Sequence, residues 1–184
     1  VVELHLQWAP GAEVRWSAVT LAESAPLPPR LVRLATVHYK PSGGKTPLGN
    51  CRLFEPLIAE AARQNADLVV LGEVVSSVGL GKPYDECAEP IPGPCSEYFA
   101  QLAKQHKLHI VAGLLERDHH LIYNVAVLLG PEGQHLGKYR KVCLPRGEID
   151  AGIAPGVDYP VFTTRFGKVG MMVCYDGFFP EVAR

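Results

Sequence analysis

Residues 53–73 read LFEPLIAEAARQNADLVVLGE, and two periodicities meet in them. Leu53, Leu57, Ile58, Ala61 and Ala62 recur at helical spacing, which gives a helix one apolar face. Pro56 has no N–H to contribute and should kink that helix or delay its start. Leu68 to Leu71 is then a short unbroken apolar run, the mark of a strand buried on both faces, and it ends at Gly72-Glu73. A helix that runs into a buried strand is half of a βαβ unit.

The flanking sequence extends the rhythm. Residues 32–38 have the composition of a strand, and residues 74–94, rich in Pro and Gly, read as a long loop. Ser96 is placed to cap a helix through Lys104, with the next strand over 108–112. Two further strands, over 121–129 and 134–140, flank Gly130-Pro131-Glu132-Gly133, which predicts a hairpin. A last short strand covers 168–173, and Cys174 follows it at once. Hairpin strands set among βαβ units predict a layered α/β fold.

The first thirty residues have a different character. Val2, Leu4, Leu6 and Trp8 alternate at period two, Ala9-Pro10-Gly11-Ala12 has turn chemistry, and Val14 and Trp16 resume the alternation. Val19 and Leu21 follow out of phase, as across a bulge, so the stretch reads as a β-hairpin. A lone hairpin is marginal in water. It is therefore expected to be the last strands of a β-sandwich that begins upstream, with Trp8 and Trp16 in the sandwich core rather than on a sugar-stacking face. Pro26, Pro28 and Pro29 then form a stiff linker, which puts the boundary near Arg30 and divides 1–30 from 31–184.

Charge and cysteine usage narrow the function. The formal net charge is −1 with no block of Lys or Arg, which argues against nucleic acid or an anionic membrane as partner. Five cysteines (Cys51, Cys87, Cys95, Cys143, Cys174) make neither a CxxC pair nor a dense framework, so free thiols are expected, one of them reactive, and zinc is not. His119-His120 reads as a solvated turn, and Gly43-Gly44-Lys45-Thr46 as a flexible loop rather than a phosphate loop, because the upstream Gly is missing.

Glu73, Lys141 and Cys174 each stand just past the end of an expected strand, where binding groups converge in layered α/β sheets. Singly they read as a loop carboxylate, a surface ammonium and a small core residue. Their surroundings change that. Leu71-Gly72-Glu73, the run Gly137-Lys138-Tyr139-Arg140-Lys141-Val142-Cys143-Leu144-Pro145, and Gly170-Met171-Met172-Val173-Cys174-Tyr175-Asp176 resemble the three signature segments of the nitrilase, or carbon–nitrogen hydrolase, superfamily. They occur in that family's order, and Tyr123-Asn124 and Phe179-Pro180-Glu181 match as well. Gly72 departs from the usual Pro, and Cys143 stands where many members have His, which reads as packing or pocket lining.

The resemblance, which covers about Leu31 to Arg184, implies an incomplete four-layer α-β-β-α sandwich, since the family domain continues past the segment around the Cys. It implies Cys174 as nucleophile, Glu73 as general base, and Lys141 facing the oxyanion with the backbone N–H of Tyr175 as second donor. Glu148, seven residues after Lys141, would orient the Lys, and Asp176 would bond nearby backbone. A free thiol has a pKa near ~8.5 and attacks only as thiolate, so the base has a clear task. The resemblance implies no metal and no organic cofactor, a small linear amide or N-carbamoyl compound as substrate, and a homo-oligomer at full length. Tyr175-Asp176 resembles the amidase and carbamoylase branches more than the nitrilases, which usually have Trp-Glu there. The competing expectation is a noncatalytic domain attached to a sandwich that binds carbohydrate or protein. A papain-like Cys–His enzyme is disfavoured, because no His lies in a matching downstream motif.

Overall fold

The computed structural model describes residues 4, 10–23, 29 and 31–184, and packing divides the chain into two units, Val1–Arg30 and Leu31–Arg184. In the first unit, Val2, Leu6 and Trp8 of the expected hairpin lie outside the described residues. The described stretch 10–23 carries a turn at Pro10-Gly11 and no strand, and Trp16 is 56% exposed.

The second unit contains β1 (Leu34–Thr36), α1 (Pro47–Arg52), α2 (Glu55–Arg63), β2 (Leu68–Val70), α3 (Tyr84–Cys87), α4 (Pro94–His106) and β3 (His109–Asp118). It continues with β4 (Leu121–Leu129), β5 (His135–Arg140), α5 (Arg146–Asp150), β6 (Val161–Thr164), β7 (Gly167–Gly170), a 3-10 turn (Cys174–Phe178) and α6 (Pro180–Ala183). Pro56 falls in the first turn of α2, where a missing N–H costs nothing, so it starts the helix and does not kink it. The stretch ending in Thr46 is not merely a loop: the Thr46 hydroxyl accepts the Gly49 N–H at 3.0 Å and caps α1, with Pro47 in its first turn. Ser96 is not the cap of α4. Gly93 is, and the Ser96 hydroxyl reaches back to accept the Gly93 N–H at 2.9 Å. Lys107, in the left-handed region at φ 55°, ends the helix.

Five strands form one sheet in the order β1-β2-β3-β4-β5; β1, β2 and β3 are parallel, and β4 and β5 each pair antiparallel with the strand before. Two reversals restore direction, so β5 runs with β2 and β3. The C-terminal ends of β2 and β5 and the N-terminal end of β4 therefore share one edge. Alternation along the strands sorts the side chains. Ile110, Ala112, Leu114, Val125, Val127 and Leu129 pack with Phe54, Ile58 and Phe99 of the helical layer. Phe54 and Phe99, wholly buried, meet edge-on at 6.4 Å, and each such side chain contributes about 2–3 kcal/mol by burial.

On the other face, Val111, Ala126, Leu128 and Tyr139 pack with Val173 and with Phe162 and Phe166, which belong to the antiparallel pair β6-β7 and its turn. The unit is thus a mixed α/β structure with helices, a large sheet and a second, small sheet in succession. The expected fourth layer is not built by the described residues, in which the one α-helix after β7 is α6, four residues long. The last strand stops at Gly170 rather than Val173, because its partner β6 begins at Val161, opposite Gly170. No helix among the described residues is long and apolar enough to cross a membrane.

Candidate active site

The shared edge of β2, β4 and β5 is where the chemistry gathers. After β2 the chain turns at Gly72-Glu73 and docks on β3, where the Val75 N–H donates to the Gly113 carbonyl at 2.9 Å. Only a glycine on β3 permits this approach: a Cβ at Gly113 would sit 2.8 Å from Glu73 Cα and against the Gly72 carbonyl. Val74, a β-branched residue held at φ 44°, shows the strain the turn accepts to present Glu73.

Lys141 is the first residue after β5. Its N–H donates to the Asn124 carbonyl at 2.9 Å and its carbonyl accepts the Gly156 N–H at 2.8 Å, so its backbone is fixed from both sides. The side chain is wholly buried, with Nζ 2.8 Å from Glu73 Oε1 and 2.6 Å from Glu148 Oε1. Burial opposes the charged ammonium, but the hydrogen bonds to Glu148 and Glu73 outweigh it and hold the Lys141 pKa above the ordinary lysine value. Glu148 lies in the first turn of α5.

Cys174 opens the 3-10 turn at φ 47°, a left-handed conformation for a residue with a Cβ. Asp176, wholly buried, holds that turn: its carboxylate accepts the Val173 N–H at 2.9 Å, the Tyr139 hydroxyl at 2.8 Å and the Cys143 N–H at 2.8 Å. The Cys174 backbone is thereby tied to the end of the strand that carries Lys141, and Asp176 bonds nearby backbone as its sequence position implied. Asp176→Ala should leave two buried donors and the half-buried Cys143 N–H unpaired and destabilise the fold by about 3 kcal/mol, at ~1–3 kcal/mol per group. A urea midpoint equal to the wild type's would refute this clamp.

Cys174 is exposed at the surface, yet partial desolvation of its thiol raises the pKa above its ordinary value, the Glu73 carboxylate raises it further, and Lys141 acts in the opposite sense. At neutral pH the group is then mostly the thiol, and alkylation by iodoacetamide should reach half-maximal rate at a higher pH than for free cysteine. Glu73→Gln removes one raising charge and leaves Lys141, so it should bring that midpoint down. An unchanged or higher midpoint would contradict the placement of the carboxylate beside the thiol.

The structure therefore brings Glu73, Lys141 and Glu148 into direct contact and sets Cys174 where the charges of all three act on its thiol. Tyr175 follows in the same turn, its ring packed edgewise on Phe179 at 5.3 Å. Cys143 is half-buried beside Asp176. Cys51, Cys87 and Cys95 are buried in the core, and all five cysteines are free. His119 is exposed in the β3–β4 turn, with its ring 2.8 Å from Asp118. Among the described residues, no group of three or more His, Cys, Asp or Glu is arranged to hold a metal ion.

Two participants were not assigned from sequence. Asn124 donates from Nδ2 to Glu73 Oε1 at 2.7 Å and to Glu148 Oε2 at 3.4 Å. Behind the site, on the opposite face of the sheet, buried Glu116 pairs with Lys138 and with Arg140, whose Nε lies 2.7 Å away. Arg140 also bonds Asp118 at 2.6 Å and lies 3.9 Å above the Tyr123 ring. The available signal was the alternation of charge along β3 and β5, with Glu116 and Asp118 facing Lys138 and Arg140 at period two.

The sequence pattern of a family described as carbon-nitrogen hydrolase matches residues 33–184. A nitrilase of Pyrococcus abyssi is 38% identical over 158 residues, which are 84% of this chain and 60% of that protein. The omega-amidase NIT2-B of Xenopus laevis is 36% identical over 161 residues, 83% of this chain and 58% of that protein. Among solved structures, Saccharomyces cerevisiae Nit3, a member of branch 10 of the nitrilase superfamily, superposes with a TM-score of 0.73 at 27% identity, covering 83% of this chain and 58% of its own. The chain thus spans less than two thirds of the length of each of these relatives.

Proposed function

The chain belongs to the carbon-nitrogen hydrolase family, and from that premise we propose that it hydrolyses a non-peptide C–N bond of a small linear amide or N-carbamoyl compound through a thioester on Cys174. One observation carries the proposal. Lys141 is wholly buried, and the two carboxylates occupy two of the three N–H donors of its ammonium. The third is left for a group that becomes negative, and burial keeps that charge from being screened by solvent.

In the proposed sequence the Cys174 thiol gives its proton to the Glu73 carboxylate as Sγ bonds to the substrate carbonyl carbon. The carbonyl oxygen becomes an oxyanion facing Lys141 Nζ and the backbone N–H of Tyr175. The C–N bond then breaks, Glu73 returns the proton to the departing nitrogen, and an acyl thioester remains. Glu73 next takes a proton from water as the hydroxide attacks the thioester, and the second tetrahedral intermediate collapses to the acid as the C–S bond breaks and Glu73 returns that proton to Sγ. Glu148 holds Lys141 through a second hydrogen bond to Nζ, at 2.6 Å. No step calls for a metal or an organic cofactor.

An amidase-type substrate is favoured by Tyr175-Asp176 after the nucleophile and by the similarity to an omega-amidase. Self-association at full length belongs to the same proposal. The test is ammonia release by the full-length protein from a panel of aliphatic carboxamides and N-carbamoyl amino acids. Turnover of at least one class, lost in Cys174→Ala, is the expected result. No turnover of either class, or equal turnover by Cys174→Ala, would end the proposal.

A further inference from the structure

We infer that Asn124 is a positioning residue that selects which oxygen of Glu73 takes the proton, an inference that rests on the role proposed above for Glu73. Asn124 is buried near the start of β4, at 2% exposure. Its Nδ2 lies 2.7 Å from Glu73 Oε1, the same oxygen that Lys141 Nζ reaches at 2.8 Å. It also lies 3.4 Å from Glu148 Oε2, while Lys141 Nζ is 2.6 Å from Glu148 Oε1. Asn124, Glu73, Lys141 and Glu148 therefore close a ring of hydrogen bonds with two donors and two carboxylates.

The orientation of the amide follows from chemistry. Both neighbours of the Asn124 side chain are carboxylates that Lys141 already binds as an acceptor pair, so the NH2 end must face them. That leaves the amide oxygen at the other end, buried and without a protein partner among the described residues. A buried unpaired acceptor is destabilising, and an apolar side chain of similar volume would avoid it. What the amide provides in return is its donor to Glu73 and Glu148.

Two donors on Oε1 occupy that oxygen and fix the carboxylate plane, so Oε2 is the oxygen left to exchange a proton with the thiol and the leaving nitrogen. With Lys141 alone on Oε1, the Glu73 carboxylate can rotate about its last torsion, which is soft for an sp³–sp² bond. The lost alignment should appear in kcat by about 10²-fold, the usual scale of a misplaced reacting group, with KM nearly unchanged. The Lys141 N–H bond to the Asn124 backbone carbonyl does not depend on the side chain, so substitution leaves the backbone of Lys141 held.

The experiment compares Asn124→Ala, Asn124→Asp and Glu73→Gln with wild type in the full-length protein, measuring kcat and KM per active site titrated by alkylation of Cys174. Asn124→Asp has the shape of the native residue without the N–H donor. The expected result is a kcat loss of about 10²-fold in Asn124→Ala, at least as large a loss in Asn124→Asp, and a KM within about 3-fold of wild type for both. Wild-type kcat in either variant, or a change confined to KM, overturns the inference. So does a loss that vanishes once rates are normalised to titrated sites, which marks a purely structural role. Loss of turnover in Glu73→Gln with full kcat in Asn124→Ala defeats the positioning role alone. Retained turnover in Glu73→Gln instead defeats the role of Glu73, and this inference with it.

Discussion

Glu73→Gln should slow acylation of Cys174 and hydrolysis of the acyl-enzyme together, each by about 10²–10⁴-fold, the range for loss of a general acid–base group. The substitution is isosteric and its carbonyl oxygen can still accept from Lys141 Nζ and Asn124 Nδ2, the two donors that now meet on Glu73 Oε1. Its NH2 then falls where Oε2 stood, and an amide there cannot take a proton. Fold and binding should survive while both chemical steps fail. Single-turnover quench experiments separate the steps. A variant that acylates at the wild-type rate and stalls only afterwards would show that the thiol is activated by another group.

Lys141→Met should do damage of a second kind. Lys141 is wholly buried, and its removal leaves Glu73 and Glu148, 28% and 13% exposed, without their counter-charge. Removing one partner of a buried ion pair typically costs 3–5 kcal/mol; partial exposure of the carboxylates places the expected loss near the lower end, about 3 kcal/mol. The same variant loses the proposed oxyanion donor, worth about 10²–10³-fold in kcat. Thermal unfolding and turnover of the folded fraction should therefore both change. A stable variant that loses only activity would mean that Asn124 and solvent satisfy the carboxylates. A destabilised variant with full kcat would remove Lys141 from the chemistry.

What was legible in the sequence follows from how local each signal is. β4 lies where its apolar run and hairpin turn predict, over Leu121–Leu129, because turn chemistry fixes a hairpin from neighbouring residues. The helix entry at Thr46 is masked in the sequence by the Gly-rich stretch before it, although Thr-Pro is a start signal in its own right. β3 runs on to Asp118 because β4 pairs with it along its whole length, and no local feature of residues 113–118 announces that partner. The mixed α/β class and the family were readable from periodicity and from the ordered signature segments, and the match over residues 33–184 agrees with both.

The site was legible only in part. Glu73, Lys141 and Cys174 stand near strand ends, but singly each has an ordinary structural reading, and the ordered signature segments around them are what nominate them. Glu148 became a candidate only through the family resemblance, since a Glu after Leu144-Pro145-Arg146-Gly147 otherwise reads as a loop charge. Asn124 was hidden by its setting. It sits inside an apolar run, and its contact with Glu73, 51 residues earlier, depends on the β3–β4 register and on the Gly113 approach, neither of which is local.

The most direct measurement of the central claim is mass spectrometry of the full-length protein quenched during turnover of an amide. The account predicts an acyl adduct on the peptide that contains Cys174, formed in wild type and absent from Cys174→Ala. An adduct on Cys143, or steady turnover by Cys174→Ala, would contradict it.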